Sequence, residues 1–239
     1  MIANITSNTN APVYSVLDQR RHSGTIHVND DTFSAPGNQT FNGTVSSLWH
    51  GRVGYKFDAE TTKLSLSVGS STTNWSAIGI STQPPETVDL FAAWIEHQDL
   101  THPISYTIFP STTFDRFKRK QEDCQIIPLQ NDAHISAILY ANHWTISAVF
   151  WDVAGGTLQC KTPYYQKIAS ISTDGNVALM LDLSAGTVTV SDPSQTLACV
   201  YIVIEPTSGV PLAITVELPA GPGGFAGSSV TKHIPNFLL

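Results

Sequence analysis

Apolar residues in this chain fall in segments of five to ten, rich in Val, Ile, Thr, Tyr, Phe and Trp and separated by Gly, Pro, Asn and Asp. No stretch holds a helical period long enough to organise a fold, whereas several alternate at period two. Val200-Tyr201-Ile202-Val203-Ile204 and Ala213-Ile214-Thr215-Val216-Glu217 are the clearest. The pattern predicts strands over 45–58, 63–69, 77–81, 88–97, 104–109, 135–140, 145–152, 158–163, 177–183, 187–191, 198–205 and 212–218. Gly155-Gly156, Asp174-Gly175-Asn176, Ala185-Gly186 and Ser208-Gly209 supply turns between some of them. Helical signal is confined to 114–122 and a single turn within 86–98. Many short strands with turns between them imply a sandwich, jelly roll or barrel.

The ends differ from this middle. Residues 1–44 are polar, with one short strand over 24–28, and read as an extended N-terminal arm. Residues 219–239 open on Pro-Ala-Gly-Pro-Gly-Gly-Phe-Ala-Gly and read as a C-terminal tail that packs no core. The expected domain occupies 45–218.

Composition narrows the function. Charged residues make up 13% of the 239, against about 25% in an average soluble domain, so Ser, Thr, Asn and Gln must coat the surface. A net charge of −7 argues against nucleic-acid binding by the domain as a whole, because neutralising phosphates needs Lys and Arg, and leaves only a local basic patch for that role. Cys124, Cys160 and Cys199 are odd in number and lack CxxC spacing, which implies reduced, buried thiols rather than a disulfide framework or a zinc site. The N-terminus lacks the basic and apolar regions of a signal peptide, and no apolar run is long enough to span a membrane. Sequons at Asn4, Asn38, Asn42 and Asn74 are of the number expected by chance in a chain rich in Ser and Thr.

Catalytic signatures are sparse. The eight histidines form neither H-x-H nor H-E-x-x-H, no G-x-S-x-G elbow occurs, and the acid pairs Asp30-Asp31 and Glu122-Asp123 would point to opposite faces of a strand. Residues 221–226 satisfy G-x-G-x-x-A, but no helix can follow before the chain ends. These observations predict no enzyme activity, no metal and no cofactor. Trp49, Trp75, Trp94, Trp144 and Trp151 lie in or beside expected strands, so burial is the default expectation for each, with stacking on sugars the alternative.

Leu158-Gln159-Cys160-Lys161-Thr162-Pro163-Tyr164-Tyr165 is followed by segments 176–191, 198–205 and 212–219. The Pro-Tyr-Tyr ending of the first segment, with the order and spacing of the others, resembles capsid proteins of picorna-like viruses (dicistrovirus and iflavirus type). Trp49-His50-Gly51-Arg52-Val53-Gly54-Tyr55-Lys56 resembles a segment of the insect-infecting members.

That resemblance implies an all-β fold, an antiparallel eight-stranded jelly-roll β-sandwich with extended N- and C-terminal arms. It implies a structural subunit of a non-enveloped icosahedral virion, assembled in the host cytoplasm with other capsid chains, the RNA genome and a host receptor as partners. Trp49, Arg52, Tyr55, Tyr164, Tyr165 and Phe225 would then meet neighbouring subunits. Arg20, Arg21, Arg116, Lys118, Arg119 and Lys120 would face RNA. The alternative is a carbohydrate-binding β-sandwich of the cytosolic lectin type, with exposed Trp or Tyr beside Asn, Asp or Gln in a shallow groove.

Overall fold

The computed structural model describes residues 1–33, 36–41, 45–58, 63–160, 167–219 and 225–234. The chain divides into two compact units, one of residues 5–121 and one of residues 1–4 with 122–239. Each is a β-sandwich with its own apolar core.

The first unit contains β1 (Tyr14–Arg21), β2 (Ile26–Val28), β3 (Asp31–Phe33), β4 (Gly37–Phe41), β5 (Ser47–His50), β6 (Val53–Phe57), β7 (Leu64–Thr73), β8 (Glu86–Glu96) and β9 (Tyr106–Phe109), and most of helix α1 (Phe114–Asp123). A four-stranded sheet, β1-β8-β7-β4, packs on a five-stranded one, β3-β2-β5-β6-β9. Leu64, Leu66, Phe91, Ala93 and Ile95 from the first sheet join Ile26, Val28, Leu48, Tyr55 and Phe57 from the second in one core.

The second unit contains β10 (Ile126–Asn131), β11 (Ile135–Tyr140), β12 (Thr145–Phe150), β13 (Gly156–Gln159), β14 (Ile168–Thr173), β15 (Ala178–Asp182), β16 (Thr187–Ser191), β17 (Cys199–Pro206), β18 (Leu212–Glu217) and β19 (Val230–His233). Its sheets are β10-β11-β12-β15-β16-β19 and β13-β14-β17-β18. Alternation dictates the core: Ile135, Ala137 and Leu139 of β11 and Ile146, Ala148 and Phe150 of β12 point inward, against Ile171 of β14 and Val200, Ile202 and Ile204 of β17. Every pairing among the described strands is antiparallel.

The all-β sandwich class therefore stands, but the sheets number four and five strands in one unit and six and four in the other, not the four and four of an eight-stranded jelly roll. The segment expected to be an N-terminal arm is structured: β1 pairs with β8 along its length, and Ile26 and Val28 are core residues. Residues 45–58 are two strands rather than one, because Gly51 and Arg52 both take positive φ (54° and 71°) and close a two-residue hairpin. Residues 77–81 form no strand. Asn74 instead caps a short 3₁₀ turn over Trp75–Ala77, its Oδ1 accepting from the Ser76 amide at 3.0 Å. Of the cysteines, Cys160 is buried, with its thiol pushed up to about 12 by burial, but Cys199 is exposed. No helix among the described residues is long and apolar enough to cross a membrane.

Candidate functional site

A β-bulge at Leu17 brings polar side chains into the first unit. Val16 pairs with Trp94 and Asp18 with Ala93, so Leu17 is the extra residue. The extra residue inverts the alternation, and Asp18, Arg20 and His22 become half-buried in succession where Gln19 and Arg21 stay exposed.

These side chains meet the β5–β6 hairpin. Arg20 ion-pairs with Asp18 (Nη2–Oδ2 2.5 Å), and its Nη1 donates to the Gly51 carbonyl at 3.2 Å. The Tyr55 hydroxyl donates to the bulged Leu17 carbonyl at 3.1 Å. His22 stacks on His50 (5.4 Å between centroids, 16°), and His50 packs on Phe91 at 4.0 Å.

Burial and charge separate the titrations. Hydrogen bonding to Asp18 raises the Arg20 guanidinium further above its usual range. Burial, then the negative charge of Asp18, push the Tyr55 phenol up to about 12. Burial, with the neighbouring His22 and Arg20 charges, pushes His50 down to about 4. His50 is therefore neutral at pH 7, and its Nε2 accepts from the Ser23 amide at 3.5 Å. The ring proton then sits on Nδ1, which is buried without a hydrogen-bond partner among the described residues. Tyr55 and His50 are 3% and 1% exposed, so neither can touch a substrate in this arrangement. Chemically, the cluster positions: it locks Arg20 onto the tip of the hairpin.

That tip carries Arg52, and the helix that follows Thr112 carries Arg116, Arg119 and Lys120. The Thr112 amide donates to the Arg52 carbonyl at 2.9 Å, and the Trp49 indole donates to the Thr112 carbonyl at 3.1 Å. Together they tie the hairpin to the turn that starts α1. The helix is pinned by Phe117, fully buried against Gly54 and Phe109, and by Phe114 stacked on His27 at 3.7 Å. Arg116 and Arg119 lie three residues apart on its exposed side, with Lys120 alongside. Lys118 is paired with Asp30 at 2.7 Å, and Arg21 with Glu86 at 2.9 Å.

Among the residues expected to meet neighbouring subunits, Trp49 is half-buried and Tyr55 belongs to the core, while Arg52 is exposed at the hairpin tip. Phe225 is 86% exposed, and Tyr164 and Tyr165 lie outside the described residues. Of the expected RNA-facing residues, Arg20, Arg21 and Lys118 are each held by a carboxylate (Asp18, Glu86 and Asp30), whereas Arg116, Arg119 and Lys120 lie on α1. The cluster of Asp18, His22 and His50 went unanticipated, because a bulge inside a polar strand leaves no mark in the spacing. Trp75, Trp144 and Trp151 are exposed, against the expectation of burial. Among the described residues, no three His, Cys, Asp or Glu side chains gather to hold a metal ion.

Residues 1–121 match the family described as polysaccharide lyase family 8, super-sandwich domain, and residues 129–201 match polysaccharide lyase family 8, C-terminal β-sandwich domain. Similar solved structures include a chondroitinase AC lyase from a study of enzyme–oligosaccharide complexes (23% identity, TM-score 0.82, covering 95% of this chain and 33% of that one). A Paenibacillus xanthan lyase matches at 16% identity and TM-score 0.67, over 81% of this chain and 19% of that one. The Streptomyces coelicolor A3 chondroitin AC lyase in complex with chondroitin sulphate matches at 20% identity and TM-score 0.55, over 80% and 24%. The chain thus spans a third or less of the length of these structures, and at such identities the likeness establishes the fold. No curated protein matches.

These matches overturn the capsid reading, and with it the virion location and the capsid, RNA and receptor partners. They also displace the lectin alternative and the expectation of a non-enzyme, since both family domains are those of polysaccharide lyases. The resemblance failed because short strands bounded by turn residues, in much the same order, recur in antiparallel sandwiches of unrelated function.

Proposed function

The chain belongs to polysaccharide lyase family 8, and we propose that it forms the β-sandwich part of an enzyme that cleaves an acidic polysaccharide by elimination. The observation that carries this is the super-sandwich match over residues 1–121, which coincides with the unit holding the locked hairpin and most of the chain's cations. The first unit has ten acidic and nine basic residues and is near neutral, whereas the second has nine acidic residues against three lysines. A polyanionic chain is therefore repelled less by the first unit than by the second, and any attraction must come from locally placed cations.

Elimination removes a proton from the carbon beside a uronate carboxylate. The glycosidic C–O bond β to that carboxylate breaks, a C=C bond forms, and the leaving oxygen takes up a proton. Cations near the carboxylate stabilise the charge that develops. In this reading Arg52, Arg116 and Arg119 hold the polyanion, and Arg20, locked by Asp18, positions the hairpin that carries Arg52.

The test has two arms. Elimination is followed by the ultraviolet absorbance of the unsaturated uronate, with chondroitin sulphate or xanthan as substrate and the full natural polypeptide as enzyme. Binding of chondroitin sulphate to this chain is measured by calorimetry at low salt. Unsaturated product, together with binding that Arg52→Glu/Arg116→Glu/Arg119→Glu abolishes, supports the reading. A folded polypeptide that gives no unsaturated product from either substrate overturns it.

A further inference from the structure

A separate surface lies on the second unit, on the outer face of the six-stranded sheet. Strand register builds it. Tyr140 of β11 lies beside Thr145 of β12, and Thr145 beside Asp182 of β15. One row away, Ile138 lies beside Ser147, and Ser147 beside Met180. Since neighbouring residues alternate sides, both rows face away from the core that Ile135, Ala137 and Leu139 enter.

These rows floor a groove of about 470 Å³, with Ile126 and His143 on its wall. The Tyr140 and His143 rings lie 4.6 Å apart at 41°, and Met180 is 45% exposed. The Asp182 carboxylate is fixed through Oδ1, which accepts from the Ser184 and Ala185 amides at 2.9 Å each.

A second aromatic platform stands at the far end of the same face. Trp151 is 56% exposed, and its indole N–H donates to Ser136 Oγ at 3.1 Å. Ser136 is on Tyr140's side of β11, four residues earlier, so the two platforms sit roughly 13 Å apart along the strand.

The chemistry of the groove selects its occupant. Its lining holds no Lys or Arg, it carries the Asp182 carboxylate, and its unit has nine acidic residues against three lysines. A polyanion is excluded on charge. Acceptors flanking aromatic and apolar floor suit a ligand that offers hydroxyl donors and apolar C–H faces together.

We propose that this face binds a neutral saccharide chain, with pyranose rings stacked on Tyr140 and Trp151 and hydroxyls donated to Asp182 and Ser147. The site is distinct from the cations of the hairpin and α1 and does not rest on the elimination reading.

The test is calorimetry and tryptophan fluorescence of the whole chain with cellohexaose, mannohexaose, xylohexaose and chondroitin sulphate. At least one neutral hexasaccharide should bind and quench fluorescence. Trp151→Ala and Tyr140→Ala should each weaken it about tenfold or more, the loss of one ring stack. Trp151→Phe and Tyr140→Phe, which keep a ring, should retain most of the affinity, and Trp75→Ala in the other unit should not alter it. Failure of all three neutral hexasaccharides to bind, or binding indifferent to both alanine variants, overturns the proposal. So does chondroitin sulphate binding that depends on these two rings. Elimination by the full polypeptide should be unchanged in Trp151→Ala, which keeps the two readings separable.

Discussion

The Phe117 ring occupies the space that Gly54 leaves by having no side chain: a Cβ on Gly54 would lie 2.3 Å from the nearest ring carbon. Phe117 is fully buried there and also meets Phe109 edge-on at 5.5 Å. This contact seats α1 on β6, and so fixes where Arg116 and Arg119 are displayed. Gly54→Ala should destabilise the chain by about 1–3 kcal/mol through overpacking, and Phe117→Ala by about 3–5 kcal/mol. The double variant should cost less than the sum, because the methyl enters the cavity. Urea melts of the four proteins check this, and strict additivity would mean that the two residues do not share the space.

His50 makes the first unit sensitive to acid. Its folded value is depressed to about 4 by burial, whereas an unfolded histidine titrates near 6.5. Between those values the unfolded chain binds the extra proton, so this contribution is full above about pH 6.5 and is lost as pH falls towards 4. The loss amounts to about 3 kcal/mol. His27 and His97 are also lowered by burial, and the exposed His134 is raised, chiefly by its hydrogen bond to Asp152. The informative quantity is therefore the difference between the parent and His50→Phe. Stability of His50→Phe should fall less between about pH 7 and pH 4.5, and identical slopes would contradict this account.

Asp192 organises the turn between β16 and β17. One carboxylate oxygen accepts from the Ser194 amide at 2.8 Å and the Ser194 hydroxyl at 2.5 Å. The other accepts from the Thr196 and Leu197 amides, each at 2.7 Å. Burial alone would raise this carboxyl, but the Ser194 hydroxyl and the three amides outweigh it and hold it below the usual range. Asp192→Ala removes four hydrogen bonds whose donors are partly open to water and should cost about 1–3 kcal/mol, with Asp192→Asn intermediate. Because the folded value is depressed, the stabilisation is present above the unfolded value and is lost as pH falls below it, a window more acidic than that of His50. Equal stability of Asp192→Ala and the parent in denaturant melts would show the turn to be held by other contacts.

Strands that alternate cleanly and border a Gly-containing or Asn-containing turn were legible without the structure, as in 135–140, 187–191 and 212–217. Strands that break the rule were not. β1 reads Tyr-Ser-Val-Leu-Asp-Gln-Arg-Arg, an edge strand whose bulge scrambles the period and whose inward residues are polar. β10 carries Pro128, tolerable because an edge strand leaves one side of its ladder unpaired. The division at residues 121 and 122 was illegible because both units use the same strand-and-turn pattern. Of the candidate site, the basic run of α1 was visible as charge, but its link to Arg52 and Arg20 exists only through hydrogen bonds among β1, β5, β6 and the turn before α1.

Arg52 separates stability from binding. It holds a left-handed φ of 71° at the second position of the Gly51-Arg52 turn, a conformation that strains a residue with a Cβ. Its backbone carbonyl, which any residue would supply, accepts from Thr112. Arg52→Gly relieves the strain, but glycine loses more freedom on folding, so the net gain should be about 0.5–1 kcal/mol. The same change removes one cation from the hairpin tip. Affinity for chondroitin sulphate should fall, and its dependence on the logarithm of salt concentration should weaken by about one charge. A higher melting temperature with weaker, less salt-sensitive binding would assign the Arg52 side chain to the polyanion. A lower melting temperature would show that its side chain supports the hairpin, and unchanged affinity would remove it from the binding surface.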